Sequence, residues 1–144
     1  MSDDPQSRFM TRSTDMYRPL RIVLLVHGLI TLAGAFVLTV FPTAIPSAVG
    51  ITVERPDYLL VYLVGAAELA VAVLSFGATR LTDPAALGLV VMTFVVLHGA
   101  SGILDVVYMA VTDVNGTMIA NTVARFTVVV VFILAWRTTK RHQT

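Results

Sequence analysis

Four long apolar stretches, separated by short connections, dominate the pattern of hydrophobic and polar positions along the chain. Crossing the hydrocarbon core of a bilayer takes an apolar helix of about 20 residues, and all four stretches come close to or exceed that length. The pattern therefore predicts an all-α integral membrane domain with four transmembrane helices. These segments cover residues 20–41, 58–79, 85–112 and 118–136, within a domain that runs from 20 to 137.

The connections between these segments carry residues that end helices. The stretch "PTAIPSAVGITVERPD" contains three prolines and predicts an ordered or interfacial loop rather than a continued helix. Pro84 suits the first position of the third helix, and "DVNG" at 113–116 suits a turn. Connections this short make consecutive helices antiparallel neighbours, which predicts an up-down-up-down bundle.

Charged residues are concentrated outside the apolar segments. Residues 1–19 are polar without apolar periodicity and predict a disordered cytoplasmic tail, and residues 138–144 form a second, basic tail. Most basic residues fall on the side of the bundle that holds both termini, and Arg55 falls on the other side. The positive-inside rule then predicts that both termini are cytoplasmic. The first segment is longer than the apolar part of a signal peptide and has no clear A-x-A cleavage site at its end, so we expect a retained helix.

Composition excludes several classes of function. The chain has no cysteine, so disulfides, thiol catalysis, zinc–thiolate sites and iron–sulfur clusters are ruled out. Its formal net charge is +1 and its basic residues are scattered, whereas a nucleic-acid-binding protein needs a concentrated basic surface. We therefore expect the lipid bilayer, and not a nucleic acid, to be its partner.

Three charged side chains, two acidic and one basic, lie well inside the predicted crossings: Glu68, Asp105 and Arg125. Counting about 1.5 Å per residue places Asp105 and Arg125 at the same depth, roughly 11 Å from the outer end of their helices. An ion pair between these two residues is expected, with Asn121 one turn away as a further partner. Two alternatives stay open: a buried pair that fixes helix register, or an Arg125 that holds the carboxylate or phosphate of a ligand.

Two histidines lie deeper in the predicted bundle. His27 and His98 share a depth of roughly 21 Å, and Glu68 lies between the two levels at roughly 16 Å. Each histidine is either a packed core residue whose hydrogen bonds are made within the protein, or part of a functional site. Glu68 has no cation in its own helix, so it hydrogen-bonds to a histidine, stays protonated, or faces a pocket filled by water or ligand.

Small residues accompany the polar ones on each predicted helix. In "VLHGASGILD", Ser101 and Gly102 lie between His98 and Asp105 on one face and predict either a close helix contact or a space. A similar stripe on the first helix carries Thr31 and Gly34 beside His27. Another on the second helix carries three small residues beside Glu68, namely Gly65, Ala72 and Ser75. We expect all four helices to turn these faces inward and their larger apolar side chains toward lipid.

The second segment resembles a known family. "YLVGAAELAVAVLSF" places an acidic residue after a Gly-Ala-Ala step and is followed by a short turn that contains an arginine. In this it resembles the DoxX-like group of small four-helix membrane proteins. The resemblance covers the layout of residues 20–137 and implies a protein of the bacterial cytoplasmic membrane. It assigns no site residue in this chain.

The favoured functional hypothesis is a membrane protein that binds, or helps to move, a small amphipathic or lipid-derived ligand in a buried polar site. Transport by so thin a bundle would require a homo-oligomer, because alternating access usually needs two repeats. The predicted ligand-binding residues are Glu68, His98, Asp105, Arg125, Asn121 and His27.

Three other hypotheses stay open. Haem b could be held between His27 and His98, with Gly28 and Gly99 leaving room for the macrocycle. An enzyme could use Glu68 or His98 as a general acid or base, although no nucleophile elbow, zinc motif or glycine-rich phosphate loop is present. An accessory subunit would use the same inward faces to assemble with itself or with a larger membrane complex.

Overall fold

Four long helices make up the protein in its computed structural model, which describes residues 17–141, with side chains described up to residue 139. Helix 1 is Arg18–Val40, helix 2 is Tyr58–Ala78, helix 3 is Pro84–Met109 and helix 4 is Gly116–Arg141. Each is long and apolar enough to cross a bilayer. The chain is therefore a multi-pass membrane protein with an all-α four-helix bundle, which confirms the predicted fold class. Of the tail predicted to be disordered, residues 1–16 fall outside the described residues, whereas residues 18 and 19 belong to helix 1, so the disorder predicted for these two was wrong.

Local sequence explains where the helices begin. Helix 1 starts at Arg18 with Pro19 in its first turn, two residues before the predicted segment. The Asp83 side chain caps helix 3 by accepting hydrogen bonds from the backbone N–H groups of Ala85 and Ala86, each at 3.1 Å, with Pro84 as the first helical residue. Because a proline has no N–H to leave unsatisfied, its position there stabilises the start of the helix.

Helix 4 continues to Arg141, beyond the predicted end at Trp136. The segment after Trp136 contains neither proline nor glycine, and the hydroxyl groups of Thr138 and Thr139 donate back to the carbonyl of Ala135. The apolar pattern marks where a helix leaves hydrocarbon, whereas the helix itself can continue into water where no stop signal follows. The predicted tail therefore begins as helix.

The loop between helices 1 and 2 contains two short helical elements, Ala44–Ala48 and the 3₁₀ turn Arg55–Asp57. Between them Gly50 adopts a positive φ of 79°, a conformation that glycine reaches without steric cost. The N–H of Ile51 donates to the carbonyl of Pro46 at 2.9 Å and closes the turn. This connection is therefore an ordered loop, as its prolines predict.

The bundle is assembled from two hairpins. Helix 1 packs along helix 2, helix 3 packs along helix 4, and helix 1 also contacts helix 4. Helices 2 and 3 barely touch, although a connection of only residues 79–83 joins them. A gap between helices 2 and 3 is thus part of the fold.

An apolar core fills the half of the bundle nearest the two termini. Phe94 and Phe132 are fully buried at its centre, together with Leu20, Leu24 and Leu87. The complete cluster comprises Tyr17, Leu20, Leu24, Ala78, Leu87, Val90, Val91, Phe94, Phe132 and Ala135. Burying these side chains away from the polar groups holds the two hairpins together at this end.

Glycines hold each hairpin together in the other half of the bundle. A Cβ atom added at Gly65 would lie 3.0 Å from the Oγ1 atom of Thr39 and 3.3 Å from the Cβ atom of Leu38. A Cβ added at Gly102 would lie 3.0 Å from the ring of Phe126 on helix 4. These contacts are the small-residue packing that lets membrane helices approach closely.

Replacing Gly65 by leucine should separate helices 1 and 2. We expect Gly65→Leu to destabilise the fold by about 1–3 kcal/mol, the usual cost of overpacking a tight contact. The matched control is Gly77→Leu on the same helix, where an added Cβ meets nothing within 4 Å. Thermal unfolding of both variants in detergent checks this, and equal melting temperatures would contradict the packing described.

Candidate functional site

The centre of the bundle holds a chain of hydrogen bonds that runs across three helices. His27 of helix 1 is 6% exposed. Its Nε2 atom lies 2.8 Å from the Nε2 atom of His98, and its Nδ1 atom lies 2.8 Å from the Oγ atom of Ser75. Ser75 in turn donates its hydroxyl proton to the carbonyl of Val71 at 2.9 Å. We call Ser75, His27 and His98 the histidine relay.

Aromatic side chains enclose the middle of the histidine relay. The ring centroids of Phe94 and Phe132 lie 4.6 Å and 5.2 Å from that of His27. Both phenylalanines belong to the apolar core, so His27 lies at the boundary between that core and the polar half of the bundle. His27 is therefore sealed from solvent, and its polar atoms depend on Ser75 and His98 for their hydrogen bonds.

The predicted ion pair is present between helices 3 and 4. The Nε atom of Arg125 lies 3.0 Å from the Oδ2 atom of Asp105, and both side chains are 29% exposed. The N–H at Nε is not aligned with that oxygen, so the contact is an ion pair without a hydrogen bond. Asn121 donates from Nδ2 to the same Oδ2 atom at 3.0 Å, as its spacing predicts.

A cleft of about 450 Å³ opens between helices 2 and 3 and reaches helix 4. It brings together three of the predicted site residues, Glu68, His98 and Arg125, each from a different helix. Ser101 also lines it, and apolar side chains form the rest of its wall. The remaining lining residues are Leu60, Leu63, Val64, Ala67, Val71 and Leu97. Half-exposed apolar side chains line its mouth, so the cleft opens sideways toward lipid.

Glu68 contributes a carboxyl group to this cleft. It forms neither a hydrogen bond nor an ion pair with any described side chain, so one of its three alternatives, a bond to a histidine, is not formed. Arg125 is close enough to act electrostatically on both Glu68 and His98. Among the alternatives considered for Glu68, the structure places it at a pocket.

A second, smaller pocket of about 210 Å³, here called the outer pocket, lies between Arg125 and the loop that joins helices 1 and 2. Asp105, Asn121 and Arg125 line it together with Tyr108 and Met118. The loop between helices 1 and 2 closes it with Ile45, Val49 and Ile51. Arg125 therefore separates the cleft from this outer pocket, and Asp105 and Asn121 belong to the outer pocket alone.

No family model, curated protein or solved structure matches this chain. The chemistry of the site is therefore inferred from its own residues. They supply hydrogen-bond donors and acceptors, one ion pair and one further carboxyl group. Among the described residues, no group of three or more His, Asp or Glu side chains is placed to hold a metal ion.

As they are placed in the structure, His27 and His98 do not fit a haem between them. Metal–imidazole bonds are about 2 Å long, so two axial imidazoles would have to place their coordinating atoms about 4 Å apart across an iron. The Nε2 atoms of His27 and His98 are instead bonded directly to each other at 2.8 Å. The space expected at Gly28 is also occupied, because a Cβ there would lie 2.7 Å from the ring of Phe76. These residues do not fit a macrocycle.

Other details of the site differ from the prediction or were missed by it. His27 supports His98 from behind and does not line the cleft. Gly34 has an open surface, and Ala35 takes the buried position beside it. Ser75 was expected only as a small residue, yet its hydroxyl bonds His27, a pairing that depends on the register of two helices. The loop residues of the outer pocket carried no signal beyond ordinary apolar character.

Removing one member of the ion pair should destabilise the fold. We expect Asp105→Asn to cost about 1–3 kcal/mol, less than for a fully buried pair because both side chains are 29% exposed. The double variant Asp105→Asn with Arg125→Met should recover part of this loss, because no charge is then left alone. A double-mutant cycle on thermal unfolding measures the coupling. Additive effects of the two substitutions would contradict a direct interaction.

Proposed function

We propose that the protein binds a small amphipathic or lipid-derived molecule in the cleft between helices 2 and 3. The observation that carries this proposal is the convergence of Glu68, His98 and Arg125 from three helices on one cleft. Its volume of about 450 Å³ falls in the range of small-molecule sites, and such sites combine apolar walls with a few placed polar groups.

The distribution of side chains orients the proposed ligand. Its apolar part lies along Leu60, Leu63 and Val64, whose exposed fractions are 65%, 59% and 52%. Its polar end lies at Glu68 and Arg125, deeper in the cleft. Polar groups in hydrocarbon are costly without partners, so a ligand that satisfies them gains free energy that surrounding lipid tails cannot supply.

Arg125 keeps donors available for such a ligand. A guanidinium group has five N–H donors, and Asp105 approaches this one at its Nε atom. Within residues 17–141, its terminal nitrogens form no hydrogen bond. Arg125 thus holds its position through Asp105 while its terminal nitrogens serve an acceptor on the ligand.

Filling the cleft should remove binding. Ala67 lines the cleft, and we expect Ala67→Phe to abolish retention of any lipid-soluble molecule that copurifies with the wild-type protein. The matched control Ala66→Phe adds the same ring to an exposed position of helix 2 outside the cleft and should retain the molecule. Native mass spectrometry of both variants, released from lipid nanodiscs, makes this comparison.

A second variant tests the polar end of the site. Glu68→Gln keeps the size of the side chain and removes its charge, and it should lose the retained molecule while melting at the wild-type temperature. If Ala67→Phe and Glu68→Gln both retain what the wild type retains, the cleft is not the binding site.

We further propose that the protein lies in the bacterial cytoplasmic membrane with both termini in the cytoplasm. The excess of basic residues at the end of the bundle that holds the termini supports this orientation. Membership of the DoxX-like group is part of the same proposal and rests on the helix 2 stretch quoted above. Movement of the ligand across the membrane would require a homo-oligomer or a larger complex, since four helices offer a single site.

The orientation can be tested because the chain contains no cysteine. A membrane-impermeant maleimide applied to spheroplasts should label Ser47→Cys, in the loop between helices 1 and 2, and should spare Thr82→Cys. Both positions are exposed, so their reactivity reports the side of the membrane. Labelling of the Thr82 variant alone would reverse the topology.

A further inference from the structure

Two arginines of helix 1 line a third pocket, at the end of the bundle that holds the termini. We propose that Arg18 and Arg21 bind the phosphate group of an anionic phospholipid in the leaflet at that end. The pocket has a volume of about 250 Å³ and is lined by Arg18, Arg21, Ile22, Leu25 and Thr79. It shares no residue with the cleft or with the outer pocket, so it is a separate site.

Four of these lining residues follow one another along one face of helix 1. Spacings of three, four and seven residues from Arg18 put Arg21, Ile22 and Leu25 on the same side of the helix. The two arginines lie nearest the helix end, and the two apolar residues lie deeper in the bilayer. Ile22 and Leu25 are 55% and 49% exposed. A phospholipid has the same order of parts, with its head group outside its acyl chains.

The depth of the two arginines matches the phosphate layer of a bilayer. Counting about 1.5 Å per residue from Val40, Arg21 lies about 29 Å and Arg18 about 33 Å from the outer end of helix 1. The hydrocarbon core is about 30 Å thick, and the head groups lie just beyond it. Arg21 is therefore level with the edge of the hydrocarbon, and Arg18 is level with the head groups.

Both guanidinium groups keep donors for a ligand. Within residues 17–141 neither side chain forms a hydrogen bond or an ion pair. The Nε atom of Arg21 is buried without a partner, whereas the terminal nitrogens of that side chain are accessible. A ligand therefore meets the terminal nitrogens and not Nε. Arginine binds phosphate oxygens through such paired N–H donors, and these charge-assisted hydrogen bonds are stronger than neutral ones.

The described residues do not balance the positive charge of this pocket. Among them, Asp83 is the acidic side chain at this end of the bundle, and both of its carboxylate oxygens cap the start of helix 3. Arg80 is exposed and adds positive charge next to Thr79. The hydroxyl of Thr79 donates its proton to the carbonyl of Phe76 at 2.6 Å. Thr79 thus forms wall, and the two arginines supply the donors.

Charge and shape together select the ligand class. Phosphatidylglycerol has a net negative charge, whereas phosphatidylcholine carries a quaternary ammonium group that the arginines repel. Inorganic phosphate has no part that covers the exposed side chains of Ile22 and Leu25. An anionic phospholipid therefore fits the whole pocket, its phosphate at the arginines and an acyl chain along the apolar pair.

The lipid retained by the purified protein tests the proposal. Native mass spectrometry releases the protein from nanodiscs with equal amounts of phosphatidylglycerol and phosphatidylcholine of identical acyl chains. We expect the wild type to prefer the anionic lipid by about tenfold or more, and Arg18→Gln or Arg21→Gln to lower this preference about fivefold, the effect of one arginine near an anionic head group. Equal retention of both lipids by the wild type overturns the proposal.

Arg137→Gln is the matched control. It removes an exposed arginine from the same end of the bundle, outside the pocket, and should leave the lipid preference unchanged. If it lowers the preference as much as Arg21→Gln does, anionic lipid is attracted by the basic end as a whole, and the site is overturned. If Arg21→Gln does not fold, Arg18→Gln at an exposed position still decides the question.

Two further comparisons separate this site from the cleft and the lipid from free phosphate. Ala67→Phe should not change the retention of phosphatidylglycerol. Loss of that lipid in Ala67→Phe would place it in the cleft, which would overturn the separate site and keep the proposed function. Excess inorganic phosphate should displace no more lipid than chloride at the same ionic strength. Selective displacement by phosphate would make free phosphate the ligand and overturn the lipid assignment.

Discussion

A hydrogen bond between two histidine side chains fixes the relative positions of the two hairpins at the centre of this membrane protein. The bond between His27 and His98 joins helix 1 to helix 3, two helices that are not consecutive in the chain. In hydrocarbon, neither ring can exchange this bond for water, so the two helices must keep both rings at one depth. The site depends on this register, because His98 reaches the cleft wall from the position that His27 sets.

The two halves of the bundle are held together by different forces. Toward the termini, close packing around Phe94 and Phe132 brings all four helices into contact. Beyond His27 that core ends, and each hairpin is held by its own contacts: Gly65 against helix 1, and the Asp105–Arg125 pair between helices 3 and 4. Because these contacts lie within hairpins, nothing comparable draws helices 2 and 3 together, and the cleft opens between them.

Depth along the helices was predictable from sequence, whereas the partners of individual side chains were only partly so. A constant rise per residue and short connections place Asp105 beside Arg125 and His27 level with His98, and both contacts are present. The rotation of one hairpin relative to the other cannot be predicted in this way, because it depends on the packing of many side chains at once. This is why Ser75 as a partner and the outer pocket could be found only in the structure, and why a pocket at Glu68 was only one of several alternatives. The misfit of a haem between His27 and His98 has a related cause: equal depth does not say whether two rings lie apart or touch.

Arg125 connects the cleft to the rest of the protein. It lines both the cleft and the outer pocket, and its contact with Asp105 is an ion pair in which the Nε hydrogen is not aligned. A bound molecule that drew the guanidinium toward the cleft would change this contact, and Asp105 would be left with Asn121. Since the outer pocket is closed by Ile45, Val49 and Ile51, such a shift would reach the loop between helices 1 and 2. Among the described residues, the ion pair is thus a contact through which occupancy of the proposed site would act on the outer pocket.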